Sequence, residues 1–296
     1  DQTVLFGTDY ARTLAQTAAI PEAMKTSFDL SCIRRKNTEG YHYFISALTG
    51  KDTESWIPLA VPARSAMLYN PMNGSSGKAL LRQKDGKTEV YLQLASGESA
   101  ILKTFTEADV QVPEWKYQTV AQGTVELSGL WSLRFVESAP AVHSVPDSVS
   151  LGSWTDLSFE GAGTTMGTGC YTTAFVIENP ASAQDWQLSL GDVRESARVR
   201  INGREVATLW AVPYCCPIGQ YLRPGKNILE IEVTNLPANR IADMDRRGVK
   251  WRIFKDINIA ALGYKKGTYA GWEPVPSGLL GPVRIIPLKI TKNEMQ

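Results

Sequence analysis

The sequence predicts an all-β protein made of two antiparallel β-sandwiches, the second of them a jelly roll, with a short N-terminal helix. Short segments in which apolar and polar residues alternate recur through most of the 296 residues, and turn residues separate them. Helical periodicity is confined to one stretch near the N-terminus. An Asn202-Gly203 pair stands between two alternating runs, which is a strong local signal for a tight hairpin.

The composition argues against two classes of partner. With 31 basic and 30 acidic side chains the formal charge is +1, so no basic field is expected to attract nucleic acid. No window approaches the run of about 20 apolar residues that a membrane-spanning helix needs. A hydrophobic fraction of 43% is typical of a globular chain with a substantial core. We therefore expect neither a nucleic-acid partner nor a membrane span.

The N-terminal stretch, residues 8–25, has the best helical pattern in the chain, and Pro21 is expected to stop the helix. The stripe on one side of this helix consists of Tyr10, Leu14, Thr17 and Ala18. The chain begins at Asp1 with neither a methionine nor a charged-then-apolar leader, which indicates that it is processed or cut from something longer.

The first sandwich is predicted for residues 28–108. Its strand-like segments are separated by turn residues at four places: 37–40, 50–52, 73–74 and 84–86. The following segment, 106–116, is acidic and contains a proline, so it predicts the crossing to a second domain. The expected organisation is an N-terminal helical segment (1–27), a β-sandwich (28–108) and a jelly-roll domain (109–296).

The second domain is predicted to open with a strand around Trp131, which we expect to pack in the core. A Pro/Ser-rich connection and the segment SWTDLSFEG follow, and the glycine-rich run 161–169 is interpreted as a flexible loop. It lacks both the spacing of a phosphate-binding loop and a following helix.

Residues 188–240 predict a β-meander of three alternating runs with turns at Asn202-Gly203 and at 223–225. The residues assigned to its buried face are Val199, Ile201, Leu229, Ile231 and Val233. Those assigned to the opposite face are Arg198, Arg200, Glu230 and Glu232. Trp210, at the end of the second run, is expected to be core. After Arg240 we expect an irregular, charged but ordered connection, and then a final strand over 281–290.

The inventory of chemical groups offers little support for catalysis. His42 and His143 are the only histidines, so a three-histidine metal site is excluded, and no G-x-S-x-G motif is present. Glu230 and Glu232 share a strand face, for which a solvated surface is the simpler explanation. Asp243 and Asp245 could contribute to a structural calcium site, although a solvated loop is favoured. No cofactor is predicted with certainty.

Four cysteines, Cys32, Cys170, Cys215 and Cys216, show no C-x-x-C spacing. Adjacent Cys215 and Cys216 would point to opposite faces of a strand. We favour buried thiols over a disulfide, which leaves the compartment open.

Aromatic and polar residues near loops favour carbohydrate binding. Trp154, Trp210, Trp251 and Trp272 lie near loops or strand ends, where indole rings can stack on the C–H faces of sugars. Asn, Asp and Arg side chains can bind adjacent hydroxyls. The candidate carbohydrate-binding residues are Asn235, Asn239, Arg240, Trp251 and Trp272. For Trp251 and Trp272 a core position is an equal alternative, and for Asn235 a turn or cap is the competing role.

Three stretches resemble a known group of enzymes. GDVRESARVRINGREVATLW with YLRPGKNILEIEVTNLPANR resembles the galactose-binding-like sugar-binding domain of many glycoside hydrolases, including the β-galactosidase and β-glucuronidase family. WEPVPSGLLGPVRI together with TNLPANR resembles more specifically the C-terminal region of bacterial α-L-rhamnosidases of glycoside hydrolase family 106. IPEAMKTSFDLSCIRRKNTEGYHYFIS is similar to the segment by which those enzymes leave their catalytic barrel and enter a β-sandwich.

The resemblance implies either the C-terminal portion of a larger enzyme or a homologue that lost its catalytic domain. Such enzymes carry their glutamates on a (β/α) barrel of about 250 residues, for which this chain has neither the pattern nor the length. We expect a non-catalytic carbohydrate-binding or accessory module that acts on plant polysaccharide beside a barrel, secreted, periplasmic or on the cell surface of a bacterium. The alternatives are a structural or adhesive sandwich protein without a sugar site, and part of an active glycosidase whose barrel lies outside the chain.

Overall fold

The computed structural model describes Asp9, Arg12, Leu14, residues 20–253 and residues 267–291. The chain divides into two compact units, one comprising Asp1–Tyr117 with Thr291–Gln296 and the other Gln118–Ile290. Both units consist mainly of antiparallel strands, which confirms the all-β prediction. No helix among the described residues has the length and apolar character needed to cross a membrane.

The first unit is a β-sandwich of two sheets. Its elements are α1 (Ala23–Ser27), β1 (Ser31–Lys36), β2 (Gly40–Ser46), β3 (Thr53–Pro58), β4 (Ser65–Tyr69), β5 (Ser76–Lys78), β6 (Leu81–Lys84), β7 (Lys87–Leu94) and β8 (Ser99–Phe105). One sheet has the order β1-β2-β8-β4-β5 and the other β3-β7-β6. Their facing side chains, such as Tyr43, Leu102 and Val90, form one buried core. The strands predicted within residues 28–108 are therefore present.

The predicted helix over residues 8–25 lies largely outside the described residues. Tyr10, Thr17 and Ala18 belong to the part that is not described, while Arg12 and Leu14 are helical. Residues 20–22, which include Pro21, are not helical, and a separate short helix, α1, begins two residues after the proline at Ala23. Proline is well tolerated immediately before a helix, where its missing N–H leaves no bond unmade.

The second unit is a larger sandwich. Its strands are β9 (Tyr117–Val120), β10 (Val125–Glu126), β11 (Ser132–Ala139), β12 (Met166–Ile177), β13 (Asp185–Ser189), β14 (Asp192–Arg194), β15 (Ser196–Ile201), β16 (Arg204–Leu209), β17 (Cys215–Pro217), β18 (Gly225–Thr234), β19 (Gly278–Gly281) and β20 (Arg284–Thr291). Its helices are the 3-10 turns η1 (Trp154–Asp156), η2 (Pro180–Ser182) and η3 (Gly219–Tyr221), and the α-helix α2 (Ala238–Arg246). One sheet has the order β11-β12-β18-β15-β16, and the other β10-β20-β13-β17 with β9 also paired to β20.

The prediction of a meander over residues 188–240 is wrong in its strand order. The Asn202-Gly203 turn does join β15 to β16, with positive φ angles of 53° and 78° at the two residues. The chain then crosses to the other sheet as β17, which pairs with β13, and returns as β18 between β15 and β12. Alternation identifies which side of a strand is buried but contains no information about its neighbour, so the crossing was invisible in the sequence.

The predicted inner and outer faces of these strands are confirmed. Val199, Ile201, Leu229, Ile231 and Val233 are fully buried. On the opposite face, Glu232 accepts from Arg198 at 3.3 Å and from Arg200 at 2.8 Å.

The glycine-rich run 161–169 is only partly a loop, because β12 already begins at Met166. Two of its glycines are in the strand for steric reasons. A Cβ at Gly169 would lie 2.8 Å from the Trp154 ring, and a Cβ at Gly167 would lie 2.1 Å from the Glu137 carbonyl oxygen. The glycines therefore allow close approach rather than flexibility.

The tryptophans separate into core and surface residues, and two expectations are wrong. Trp131 is fully buried, as expected. Trp210 is 65% exposed, because β16 ends at Leu209 and leaves the indole on the loop that follows. Trp154, proposed from the sequence as a surface residue, is fully buried and donates its indole N–H to the Tyr171 hydroxyl at 2.6 Å.

The cysteines form no disulfide bond among the residues described, in agreement with the expectation of thiols. Cys170 and Cys216 are buried, whereas Cys215 is half-buried, so the adjacent pair does point in two directions. Burial raises the pKa of the Cys216 thiol to about 12, which keeps it protonated at neutral pH.

Candidate functional site

Helix α2 leads from strand β18 into the candidate site, where the sequence predicted irregular chain. Pro237 stands immediately before the first helical residue, Ala238, and Gly248 follows the last turn with a φ of +67°. Proline before a helix and glycine after it are ordinary boundary signals. The charge-rich composition concealed them. The helix is nine residues long, and Ala242 is among its buried positions.

Asn235 joins strand β18 to two other segments. Its side-chain oxygen accepts from the Gly167 N–H at 2.9 Å, and its amide donates to the Thr165 carbonyl at 3.1 Å and to the Ser277 hydroxyl at 3.2 Å. The residue is 8% exposed. Every polar atom of this side chain is therefore engaged with the protein itself.

Asn239, in the first turn of α2, clamps the segment that returns to the sandwich. Its amide donates to the Val275 carbonyl at 2.8 Å, and its oxygen accepts from the Val275 N–H at 2.9 Å, as a paired backbone residue would. The same amide lies 3.4 Å from the Ser277 hydroxyl. The TNLPANR and PSGLLGPV stretches are thus joined through two buried asparagines and one serine.

Arg240 lies on α2 and forms an ion pair with Asp243 at 3.1 Å, and Arg247 approaches the same carboxylate oxygen at 2.9 Å. Two cations therefore neutralise Asp243. Among the described residues no group of three or more carboxylate, imidazole or thiol side chains is arranged to hold a metal ion. The Asp243 and Asp245 carboxylates are each engaged with other protein groups.

Asp245, at the end of α2, organises the loop beyond the helix. Its carboxylate accepts from the Trp251 indole N–H at 2.6 Å, from the Tyr269 backbone N–H at 2.7 Å and from the Thr268 hydroxyl at 3.1 Å. The Tyr269 backbone hydrogen bond, followed by that of Trp251, lowers the pKa of Asp245 below its ordinary value. The carboxylate therefore remains charged and holds both ends of the loop.

Three rings form the group that we call the aromatic cluster: Trp251, Tyr269 and Trp272. The Trp251 and Tyr269 ring centroids are 6.2 Å apart, and those of Tyr269 and Trp272 are 4.4 Å apart. The Arg252 guanidinium lies 5.2 Å from the Trp251 centroid and 4.9 Å from that of Tyr269. Trp272 is 48% exposed. The cluster thus leaves Trp272 half-exposed beside a loop that Asp245 holds by hydrogen bonds.

The five candidate residues fall into three places. Trp251 and Trp272 come together through Tyr269, Asn235 and Asn239 come together through Ser277, and Arg240 lies in the ion pair with Asp243. Sequence reasoning missed Tyr269 and Arg252 as members. The sequence signal that could have identified Tyr269 is its position close to Trp272, from which only Ala270 and Gly271 separate it.

Comparison with known proteins finds similarity to parts of glycoside hydrolases. Over 179 residues the chain is 31% identical to a protein described as a putative beta-glucuronidase from Formosa agariphila, covering 54% of this chain and 15% of that protein. The structure of a rhamnosidase from Novosphingobium sp. PP1Y matches with a TM-score of 0.66 at 24% identity, over 95% of this chain and 26% of that one. No protein-family model matches the chain.

A beta-D-glucuronidase from Dictyoglomus thermophilum aligns with a TM-score of 0.38, too low to support any argument about fold. The chain spans about a quarter or less of the length of the first two relatives. It is an all-β chain that shares its fold with one region of the rhamnosidase and sequence similarity with one region of the glucuronidase-like protein.

Proposed function

We propose that this chain is the accessory β-sandwich region of a glycoside hydrolase and that its second unit binds carbohydrate through the aromatic cluster. The observation that carries the proposal is the half-exposed Trp272 ring, held 4.4 Å from Tyr269 on a loop that Asp245 fixes. Sugar rings present C–H faces that pack on such a ring, and a ring held in place loses little freedom on binding.

Each predicted residue has a role in this proposal. Trp272 contacts the sugar, Trp251 supports Tyr269, and Arg252 covers the cluster from one side. Asn235 and Asn239 act as positioning residues, because their polar atoms are bound within the protein. Arg240 stabilises α2 through Asp243.

The similarity to parts of two glycoside hydrolases supports the wider context of the proposal. The partner would be a catalytic barrel elsewhere in the same polypeptide, and the parent enzyme would be α-L-rhamnosidase-like, of family 106. It would act on plant polysaccharide outside the cytoplasm of a bacterium. The chain described would contribute binding rather than bond cleavage.

Calorimetric titration with rhamnose- and galactose-containing oligosaccharides tests the proposal. We expect Trp272→Ala to weaken binding about tenfold, because loss of one stacked ring removes roughly 1.4 kcal/mol. The matched control is Trp210→Ala, which removes a 65% exposed indole from another loop and should leave affinity unchanged. Absence of binding by the wild-type chain, or equal effects of the two substitutions, would contradict the proposal and favour a purely structural sandwich.

A further inference from the structure

A groove whose lining includes none of the three aromatic-cluster rings lies beside the Asn235–Ser277 network. Its volume is about 630 Å³, and its lining includes Ser153, Thr155, Asp156, Pro274, Pro276 and Leu280. That volume is within the range of small-molecule sites, roughly 300–1,000 Å³. One wall is apolar and comes from the two prolines and Leu280, and the other is polar and comes from the η1 turn.

The polar wall is a directed chain of hydrogen bonds. The Ser153 hydroxyl oxygen accepts from the Ser277 N–H at 3.0 Å and from the Thr155 N–H at 3.2 Å. Both of its lone pairs are then used, so its proton points to the Thr155 hydroxyl at 2.7 Å. The Thr155 proton in turn points to an Asp156 carboxylate oxygen at 3.3 Å. The two hydroxyl hydrogen bonds, from Ser153 to Thr155 and from Thr155 to Asp156, therefore both run towards Asp156.

Asp156 therefore ends the chain as an acceptor. One of its carboxylate oxygens accepts from the Thr155 hydroxyl, and the other has no hydrogen bond or ion pair within the described part of the chain. The residue is exposed at the edge of the groove. No lysine or arginine is among the described residues that line the groove, so the carboxylate charge is not neutralised there.

We propose that this groove binds one ring of a neutral sugar and discriminates against uronic acids. This inference rests on the proposed carbohydrate function and assigns a ligand class to a second place on the same unit. Asp156 accepts hydrogen bonds from adjacent sugar hydroxyls, and Pro274 and Pro276 pack against the C–H face of the ring. A carboxylate on the sugar meets the Asp156 charge without a compensating cation, and that repulsion opposes its binding.

Nuclear magnetic resonance titration of the chain with methyl α-L-rhamnoside and methyl β-D-glucuronide at pH 7 tests the inference. We expect the rhamnoside to shift the amide signals of Thr155, Asp156 and Gly163, with the glucuronide at least about tenfold weaker, equivalent to about 1.4 kcal/mol. Asp156→Asn keeps the shape and removes the charge. This substitution should weaken binding of the rhamnoside about fivefold or more. It should also reduce the ratio between the dissociation constants of the glucuronide and the rhamnoside. Asp147→Asn, at an exposed aspartate outside the groove lining, is the matched control.

The outcomes separate this inference from the proposed function. If the amide signals of the groove residues shift and Trp272→Ala leaves oligosaccharide affinity unchanged, sugar binding by the groove is supported and sugar binding by the aromatic cluster is contradicted. If Trp272→Ala weakens oligosaccharides while the groove amides stay unshifted, the groove is overturned and the proposed function stands. Equal affinity for the two sugars, or an Asp156→Asn variant that behaves like Asp147→Asn, also overturns the inference.

Discussion

Asn235 and Asn239 show how buried amides can replace regular strand pairing. Each takes the hydrogen-bonding place of a backbone residue, Asn235 towards Gly167 and Asn239 towards Val275. A buried polar group that loses its partner costs more than the bond itself contributed, because water does not replace the partner. These residues therefore matter for the stability of the loop even without touching a ligand.

Asn235→Ala should lower the free energy of unfolding by about 2–3 kcal/mol, because it leaves the Gly167 N–H and the Thr165 carbonyl without this partner. Urea denaturation followed by circular dichroism measures the change. Asn179→Ala is the matched control: this exposed asparagine caps η2, and its loss should cost about 1 kcal/mol or less. Equal losses for the two variants would show that the buried network is not a major source of stability.

Asp245 gives the aromatic loop a defined dependence on pH. Its pKa is lowered in the folded chain, chiefly by the Tyr269 backbone hydrogen bond, so folding favours the charged form. The stabilisation is present above the unfolded-chain pKa of about 3.9 and is lost as pH falls through the folded value. We expect wild type to melt at a higher temperature than Asp245→Asn at pH 7, with the gap closing below about pH 4. A gap that stays constant from pH 7 to pH 3 would assign the effect to shape rather than charge.

At the scale of elements, strand β12 and turn η1 depend on each other. The β12 residue Gly169 has no side chain where the Trp154 ring packs, and Tyr171 of the same strand accepts the Trp154 indole N–H at 2.6 Å. The Tyr171 hydroxyl also accepts from the Leu279 N–H at 3.2 Å. The strand thus positions both the turn behind the groove and the start of β19.

Gly169→Ala should destabilise the fold by about 1–3 kcal/mol, because the new methyl group would lie 2.8 Å from Trp154 and 3.1 Å from Leu133. Thermal or urea unfolding measures the loss. Gly129→Ala is the control, since a Cβ there meets nothing within 4 Å. If the Gly169 variant were as stable as the Gly129 variant, the glycine would not be required for packing.

Local pattern was sufficient for strands and insufficient for their arrangement. Period-two alternation found both faces of β15 and β18, and the Asn-Gly pair found the hairpin turn between β15 and β16, because each depends on residues close in sequence. The crossing of β17 to the other sheet depends on partners far along the chain. Trp210 was wrongly assigned to the core, because flanking apolar residues do not show where a strand ends.

At the scale of the whole molecule, the candidate site could be predicted in part. The loop after β18 and two of its tryptophans were identified from composition and resemblance. Their assembly was not, because it depends on contacts such as Asn235 with Ser277 and Asp245 with Tyr269, which join residues 42 and 24 positions apart. The groove beside Asp156 gave no signal in the sequence, because its walls come from distant segments. Both the aromatic cluster and the groove are defined by distances in the folded chain rather than by spacing in the sequence.

The hydrogen bonds between Asn239 and Val275 join the two ends of the segment that lies between these residues. Once its two ends are fixed, a loop becomes only about 0.6 kcal/mol more costly to close for each doubling of its length. We therefore expect changes of length or sequence between Asn239 and Val275 to cost the sandwich little stability, while they alter the residues available to contact a ligand.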